Sequence, residues 1–289
     1  MCRLFGFRSV ITSQVHRSLV SADNALMRQS EAHPDGWGVA YYVAGYPHVV
    51  KSVSSAVSDS LFRRVSGVVA SETVIAHLRK ATVGKLSIIN SHPFQYGNWI
   101  FAHNGQIPDF EKYREMLVEK ISPRYRRFIL GDTDSEVIFY LLISNMAHHF
   151  DVHRKGTDLE ELEAAVKDTI EEIHEVTQMD CYSPEGQEKK FFLTFLLTNG
   201  HLMLAHQGGK ELYYSTFKER CPERETCPSF APCCEAISRG GFVNHFIVSS
   251  EPLQGENVWL EMSPGDIAAV DWRMRLKAPL RAPVQASVG

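Results

Sequence analysis

The residues best suited to chemistry start at position 2, where the chain opens Met1-Cys2-Arg3-Leu4-Phe5-Gly6. An initiator methionine is normally removed when the next residue is small, and its loss would give Cys2 a free α-amino group beside the thiol. Such an amine titrates near about 7.7–8.0, well below the roughly 10.4 of lysine, so a useful fraction is neutral at pH 7 and can take the thiol proton. Nucleophile and general base would then share one residue. A Met-Cys start by itself is more often an ordinary surface cysteine in a frayed terminus, so the remaining motifs carry the weight.

Three of them have complementary chemistry. His77-Leu78-Arg79-Lys80-Ala81-Thr82-Val83-Gly84 follows a strand-like run. A guanidinium at a strand end can hold a carboxylate through two parallel hydrogen bonds; a surface salt bridge is the plainer reading. Phe101-Ala102-His103-Asn104-Gly105 also follows a strand. There an Asn amide and a Gly N–H can aim two donors at one developing oxyanion, although Asn-Gly is equally the commonest turn dipeptide. Thr133-Asp134-Ser135-Glu136-Val137 opens a helix, where Asp134 could face a substrate ammonium or simply cap the helix.

In this order the segments resemble the glutaminase domain of the class II glutamine amidotransferases, members of the N-terminal nucleophile hydrolases. The resemblance runs from Cys2-Arg3-Leu4-Phe5-Gly6 through His33-Pro34-Asp35-Gly36-Trp37-Gly38, His77-Leu78-Arg79-Lys80-Ala81-Thr82 and Asn90-Ser91-His92-Pro93 to His103-Asn104-Gly105 and Thr133-Asp134-Ser135-Glu136. These motifs cover about the first half of the chain. The Trp-Gly after His33-Pro34-Asp35 is most similar to the stand-alone branch, which includes γ-glutamyl hydrolases of ergothioneine biosynthesis and glutathione breakdown. The resemblance implies that Cys2 is the nucleophile, Asn104 and Gly105 the oxyanion hole, Arg79 the carboxylate clamp and Asp134 the ligand of the α-ammonium, with Thr82 adding a hydroxyl to the carboxylate site. His92 sits at a familiar motif position without a definite task. Val83 stands where sugar-phosphate-forming relatives carry His, a departure in the glutamate pocket.

The resemblance also implies an α+β fold, a four-layer αββα sandwich, as a single domain over 1–289, with 218–241 a Cys/Pro-rich loop and 272–289 a C-terminal tail. Periodicity alone says α plus β. Strands are expected at 3–11, 36–43, 49–53, 72–81 and 99–102, with a short helix near 21–31. Helices are expected at 108–120 and 134–146. Leu159, Leu162, Val166, Ile170, Ile173 and Val176 recur every three or four residues, which predicts an amphipathic helix over 158–177. Residues 191–198 and 201–205 flank Asn199-Gly200, which predicts a hairpin with a type I′ turn. Further strands are expected at 213–216, 243–249 and 267–271.

Composition closes off other classes. The 289 residues are 44% hydrophobic and 22% charged, ordinary for a folded protein, and a formal charge of −4 supplies no excess cation for nucleic acid. No apolar run approaches the roughly 18 residues of a membrane span, no secretion signal is evident, and six cysteines do not make a disulfide scaffold, so a cytoplasmic chain is expected. Cys221, Cys227, Cys233 and Cys234 lack the Cys-x₂₋₄-Cys knuckle and are read as free thiols, and His148, His149 and His153 as a solvated helix end. No metal and no cofactor are expected. The expected activity is hydrolysis of the γ-glutamyl amide of glutamine or a related compound through a Cys2 thioester. Two alternatives stay open: a glutaminase subunit delivering ammonia to a separate synthase or amidase partner, and a non-catalytic γ-glutamyl-binding module. Intact-mass measurement of the purified protein should show Met1 removed; uniform retention would leave Cys2 without its amine base.

Overall fold

The computed structural model describes residues 2–279 except His16, Asp23, Lys155 and Arg239, together with the Pro283–Val284 strand. Among these residues the strands form two antiparallel sheets. The first contains β1 (Arg3–Gln14), β2 (Trp37–Val43), β3 (Tyr46–Ser52), β4 (Ala70–Leu78), then β9 (Tyr213–Ser215), β10 (His245–Ser249), β11 (Trp259–Glu261) and β14 (Pro283–Val284), in the order β14-β11-β9-β10-β1-β4-β2-β3. The second has β13 (Leu276–Lys277), β12 (Ile267–Val270), β8 (Met203–His206), β7 (Phe192–Thr198), β6 (Trp99–Gln106) and β5 (Phe94–Tyr96), in that spatial order. Seven α-helices accompany them: α1 (Leu26–Gln29), α2 (Ser60–Val68), α3 (Phe110–Lys120), α4 (Pro123–Arg126), α5 (Asp134–His149), α6 (Leu159–Thr177) and α7 (Pro184–Glu188).

Side-chain patterning explains the layers. Leu4, Ile75, Ile100, Leu196, Phe246 and Val248 meet between the sheets, and small residues there (Ala40, Ala102, Ala205, Ala268) let the backbones approach. The other face of the first sheet carries Phe5, Phe7, Trp37 and Val74 and is covered by Leu19, Leu26 and the α2 residues Phe62 and Val65. The other face of the second sheet is covered by α3, α5 and α6, through Leu117, Phe139, Ile143, Leu162, Val166 and Ile170. This is the αββα sandwich. Strands covered on both faces are largely apolar: β7 is buried throughout, its Thr194 and Thr198 included, and β1 is buried from Leu4 to Ser9, with Arg8 and Ser9 among the buried residues, before alternating where it outruns the core. α5 is buried from Asp134 to Met146 because it lies between the second sheet and its neighbouring helices. α6 is capped by Asp158, whose side chain accepts from Glu160 N, as the amphipathic pattern requires.

Several expectations need correction. β4 ends at Leu78, so 79–81 is a loop rather than strand. The 199–202 connection is longer than a type I′ turn: Gly200 has positive φ, Asn199 does not, and the Asn199 side chain accepts from His201 N and Leu202 N to shape a wider loop. Leu276–Lys277 pairs with β12, so the start of the expected tail is sheet; of the rest, residues 280–282 and 285–289 lie outside the described residues. α2, with Asp59 as its cap, and β11 had no counterpart in the sequence reading.

A consequence follows at Gly38. A methyl group there would fall inside the contact radius of the His92 carbonyl oxygen and lie 2.8 Å from Pro93 Cδ. Gly38→Ala should destabilise the protein by about 1–3 kcal/mol, seen as a lower urea midpoint at unchanged slope; an unchanged midpoint would show that the 92–93 segment yields freely.

Candidate active site

β1 pairs with β4 with Arg3 opposite Leu78, and this register carries Cys2 to the loop that begins at Arg79. Cys2 is buried, and its Sγ accepts from Lys80 N at 3.3 Å. Burial pushes the thiol pKa up, and the Lys80 amide opposes that shift. The 79–81 loop is clamped from the other side by the His33-Pro34-Asp35-Gly36 turn. Arg79 N donates to Gly36 O at 2.8 Å, Asp35 N to Arg79 O at 3.2 Å, and Ala81 N to Asp35 Oδ2 at 2.9 Å. That motif therefore sets backbone geometry beside the cysteine.

Arg79 is buried, and its two terminal nitrogens donate to the carbonyls of Val83 and Lys85, both at 3.2 Å. Its fork thus holds its own loop. Asn90 extends the same connection, with Nδ2 donating to Lys85 O at 3.0 Å and Oδ1 accepting from Asp132 N at 3.1 Å, so the 84–91 loop is tied to the turn before α5. Glu136 closes that turn by accepting from Leu130 N and Gly131 N.

Thr133, not Asp134, caps α5: its side chain accepts from Glu136 N. The Asp134 carboxylate is buried and accepts from Ile107 N at 2.8 Å and Ser135 N at 2.7 Å, which fixes its orientation toward β6. Asn104 and Gly105 lie within β6, opposite Thr194 and Leu193 of β7, which sets aside the turn reading. Asn104 is buried and its Oδ1 has no hydrogen-bond partner. Gly105 has no room for a side chain, since a Cβ would collide with the Phe192 carbonyl.

Cys2, Arg79, Thr82, Gly105 and Asp134 line one cavity of about 20 Å³, as do His92, His103 and Asn90. Asn104 itself does not line it, although both its neighbours do. The volume is that of about one water. The sequence reading missed the roles of His103, Ser135 and Asn90. His103 Nδ1 lies 2.9 Å from Ser135 Oγ, which contacts Asp134, and His77 Nε2 lies 3.2 Å from the His103 carbonyl. The His77 and His92 rings are 4.2 Å apart, and both His92 nitrogens are buried without partners. Burial holds all three imidazoles below their usual pKa, His77 at about 3.

A larger cavity of about 270 Å³ lies on the outer face of the first sheet, lined in part by Phe7, His245, Cys221, Cys227 and Cys234, and by none of the candidate site residues. All six cysteines are free thiols. His148, His149 and His153 are exposed, as expected, and His149 pairs with Asp168.

Residues 1–273 match the family described as class-II glutamine amidotransferases. The chain belongs to this family. It is 29% identical over 220 residues to the probable glutamine amidotransferase DUG3 of Saccharomyces cerevisiae, a match that spans 69% of this chain and 61% of the yeast protein. It is 34% identical over 74 residues to a gamma-glutamyl-hercynylcysteine sulfoxide hydrolase of Mycobacterium tuberculosis, 25% of this chain and 32% of that one. The structure of a glutamine aminotransferase class-II domain protein from Silicibacter pomeroyi superposes with a TM-score of 0.60 at 22% identity, covering 98% of this chain and all (100%) of that one. The chain is similar to that structure in fold. No helix among its described residues is long and apolar enough to cross a membrane.

The buried imidazoles have a consequence for acid stability. His77, His206 and His245 are held by burial at about 3, 4 and 3 in the folded protein, against 6.5 ordinarily. The unfolded chain takes up these protons near pH 6.5 and the folded chain does not, so stability is full above that pH and falls as pH drops below it. Each group costs about 1.4 kcal/mol per pH unit in that window. Urea midpoints measured at pH 7.5 and 5.5 should fall accordingly; equal midpoints would mean the imidazoles are not buried neutral.

Proposed function

We propose that the chain hydrolyses the γ-glutamyl amide bond of glutamine or a related γ-glutamyl compound through a thioester on Cys2. The observation that carries this reading is the convergence of Cys2, Arg79, Gly105 and Asp134 on one buried cavity from four separate parts of the chain. With Met1 removed, the α-amine of Cys2 takes the thiol proton, which a thiol raised in pKa by burial needs. The thiolate, held by Lys80 N–H, attacks the γ-carbonyl carbon. Asn104 and Gly105 donate to the oxyanion, and collapse of the tetrahedral intermediate expels ammonia or an amine that leaves with the returned proton. Water then attacks the thioester, releasing glutamate and restoring the thiol.

Arg79 and Asp134 orient the glutamyl group by its α-carboxylate and α-ammonium, and Thr82, exposed at the mouth, adds a hydroxyl to the carboxylate end. Asp134 suits its task because two backbone amides hold its carboxylate in a fixed orientation. Arg79 reaches a substrate carboxylate by exchanging the Val83 and Lys85 carbonyls for it. The similarity to a protein named as a γ-glutamyl hydrolase supports hydrolysis of a γ-glutamyl bond as the chemistry.

Glutamate release from glutamine and from γ-glutamyl peptides should be lost in Cys2→Ala while binding persists, and turnover by that variant would remove Cys2 from the reaction. Asn104→Ala should lower kcat by about 10²–10³. Arg79→Lys keeps the charge but loses the planar fork, so kcat/KM should fall by at least about 30-fold for every γ-glutamyl substrate alike. Wild-type kcat/KM in both Arg79→Lys and Asp134→Asn would refute the clamp.

A further inference from the structure

Away from this cavity, α6 ends at Thr177 and the chain reverses through Gln178, whose backbone is left-handed with φ 54°. The reversal brings Asp180 and Cys181 back against the last turn of the helix, where His174 projects. Cys181 is fully buried, packed in the same core as Ile173 and Phe191, whereas the Asp180 side chain is 54% exposed. Cys181 Sγ lies 3.3 Å from His174 Nε2, Asp180 Oδ1 lies 3.8 Å from that nitrogen, and the three atoms are within 4.8 Å of one another.

Tetrahedral zinc bonds of about 2.3 Å to sulfur and 2.0–2.2 Å to nitrogen or oxygen place neighbouring ligand atoms about 3.3–3.6 Å apart. The His174–Cys181 separation of 3.3 Å matches such an edge and the His174–Asp180 separation of 3.8 Å slightly exceeds it, so a rotation of the exposed Asp180 carboxylate would bring it into the coordination sphere. We propose that His174 Nε2, Cys181 Sγ and Asp180 Oδ1 form a binding site for a divalent d¹⁰ cation of the zinc type, with solvent at the fourth position on the Asp180 side. One thiolate, one imidazole and one carboxylate form a borderline donor set that suits zinc rather than magnesium or calcium, which take oxygen ligands.

The surroundings orient these ligands. Tyr182 N donates to Asp180 Oδ1 at 2.8 Å, and the Tyr182 ring meets the His174 ring edge-on. Cys181 N donates to His174 Nε2 at 3.2 Å, and cation binding would displace that hydrogen bond from the imidazole lone pair. Binding exchanges one proton for the cation: the Cys181 S–H bond breaks, an S–metal bond forms, and the proton passes to solvent. Burial, assisted by Asp180, pushes the free thiol up to about 12, and a bound dication supplies the compensating charge. The site would fasten the end of α6 to the segment that continues through α7 into β7, whose first carbonyl, that of Phe192, lies 3.1 Å from His103 Nε2. Its role is therefore structural and independent of the hydrolytic reading.

The test uses the full chain, stripped with chelator under reducing conditions and titrated with Co²⁺. One equivalent should produce the near-ultraviolet thiolate-to-cobalt absorption, and Zn²⁺ should bleach it and raise Tm. Cys181→Ser should abolish the band. Asp180→Asn, an exposed change that keeps the fold even if Cys181→Ser does not, should weaken Co²⁺ binding by about tenfold or more. Cys221→Ser and Cys227→Ser should leave the titration unchanged. Absence of the band in the wild-type chain, its persistence in Cys181→Ser, or unaltered affinity in Asp180→Asn would each overturn the site.

Discussion

The register of β1 against β4 is the constraint on which the rest of the molecule depends. With Arg3 opposite Leu78, Cys2 meets Lys80 and Phe5 faces away from the second sheet while Leu4 faces it. Because side chains alternate along a strand, a slip of one residue would invert every one of these placements. The slip is opposed on both sides. Leu4 and Phe5 are both fully buried, so neither face tolerates exchange, and β2 pairs with β4 in a matching register that delivers Asp35 and Gly36 to the same loop. Backbone pairing, not a flexible terminus, holds the cysteine.

The second sheet supplies what the first cannot. β6 brings His103 and Gly105 to the cavity that residues 79–83 also line, and Ile107, just past β6, reaches the carboxylate at the start of α5. This depends on close approach between the sheets: a methyl on Gly6 would lie 3.0 Å from both Leu196 Cδ1 and Met203 Sδ. Buried polar groups at the junction are linked to one another, from Asp134 through Ser135 to His103 and on to the Phe192 carbonyl. Such a chain fixes orientations in a region where an unpaired polar atom is costly.

Much of this was readable in the residues, for reasons that differ from element to element. β1, β2, β7 and β10 announce themselves because strands buried on both faces must be apolar and β-branched or aromatic. α6 does so because one face is core and the other solvent. α2 escaped notice because its nine residues include Gly67, Val65 and Val68, poor helix formers, and its stability comes from Phe62 and Val65 packing on the sheet. β11 is three residues long and is defined by its neighbours. At the candidate site the motif residues converge, yet their partners were invisible. His77, His92 and His103 become neighbours only when the two sheets stack, and Asn90 meets Asp132 across 42 positions.

The edges of the two sheets bear on how the molecule meets others of its kind. An open edge strand is a template for another chain, and proteins blunt it with prolines, charges or brevity. Both borders of the first sheet carry a proline within the strand, Pro47 in β3 and Pro283 in β14, and β3 adds Lys51. The borders of the second sheet are strands of three and two residues, β5 and β13. β5 and β13 are too short for a long run of backbone pairing, and a proline interrupts it in β3 and in β14. Among the described residues, therefore, self-association through continued sheets is disfavoured at all four borders.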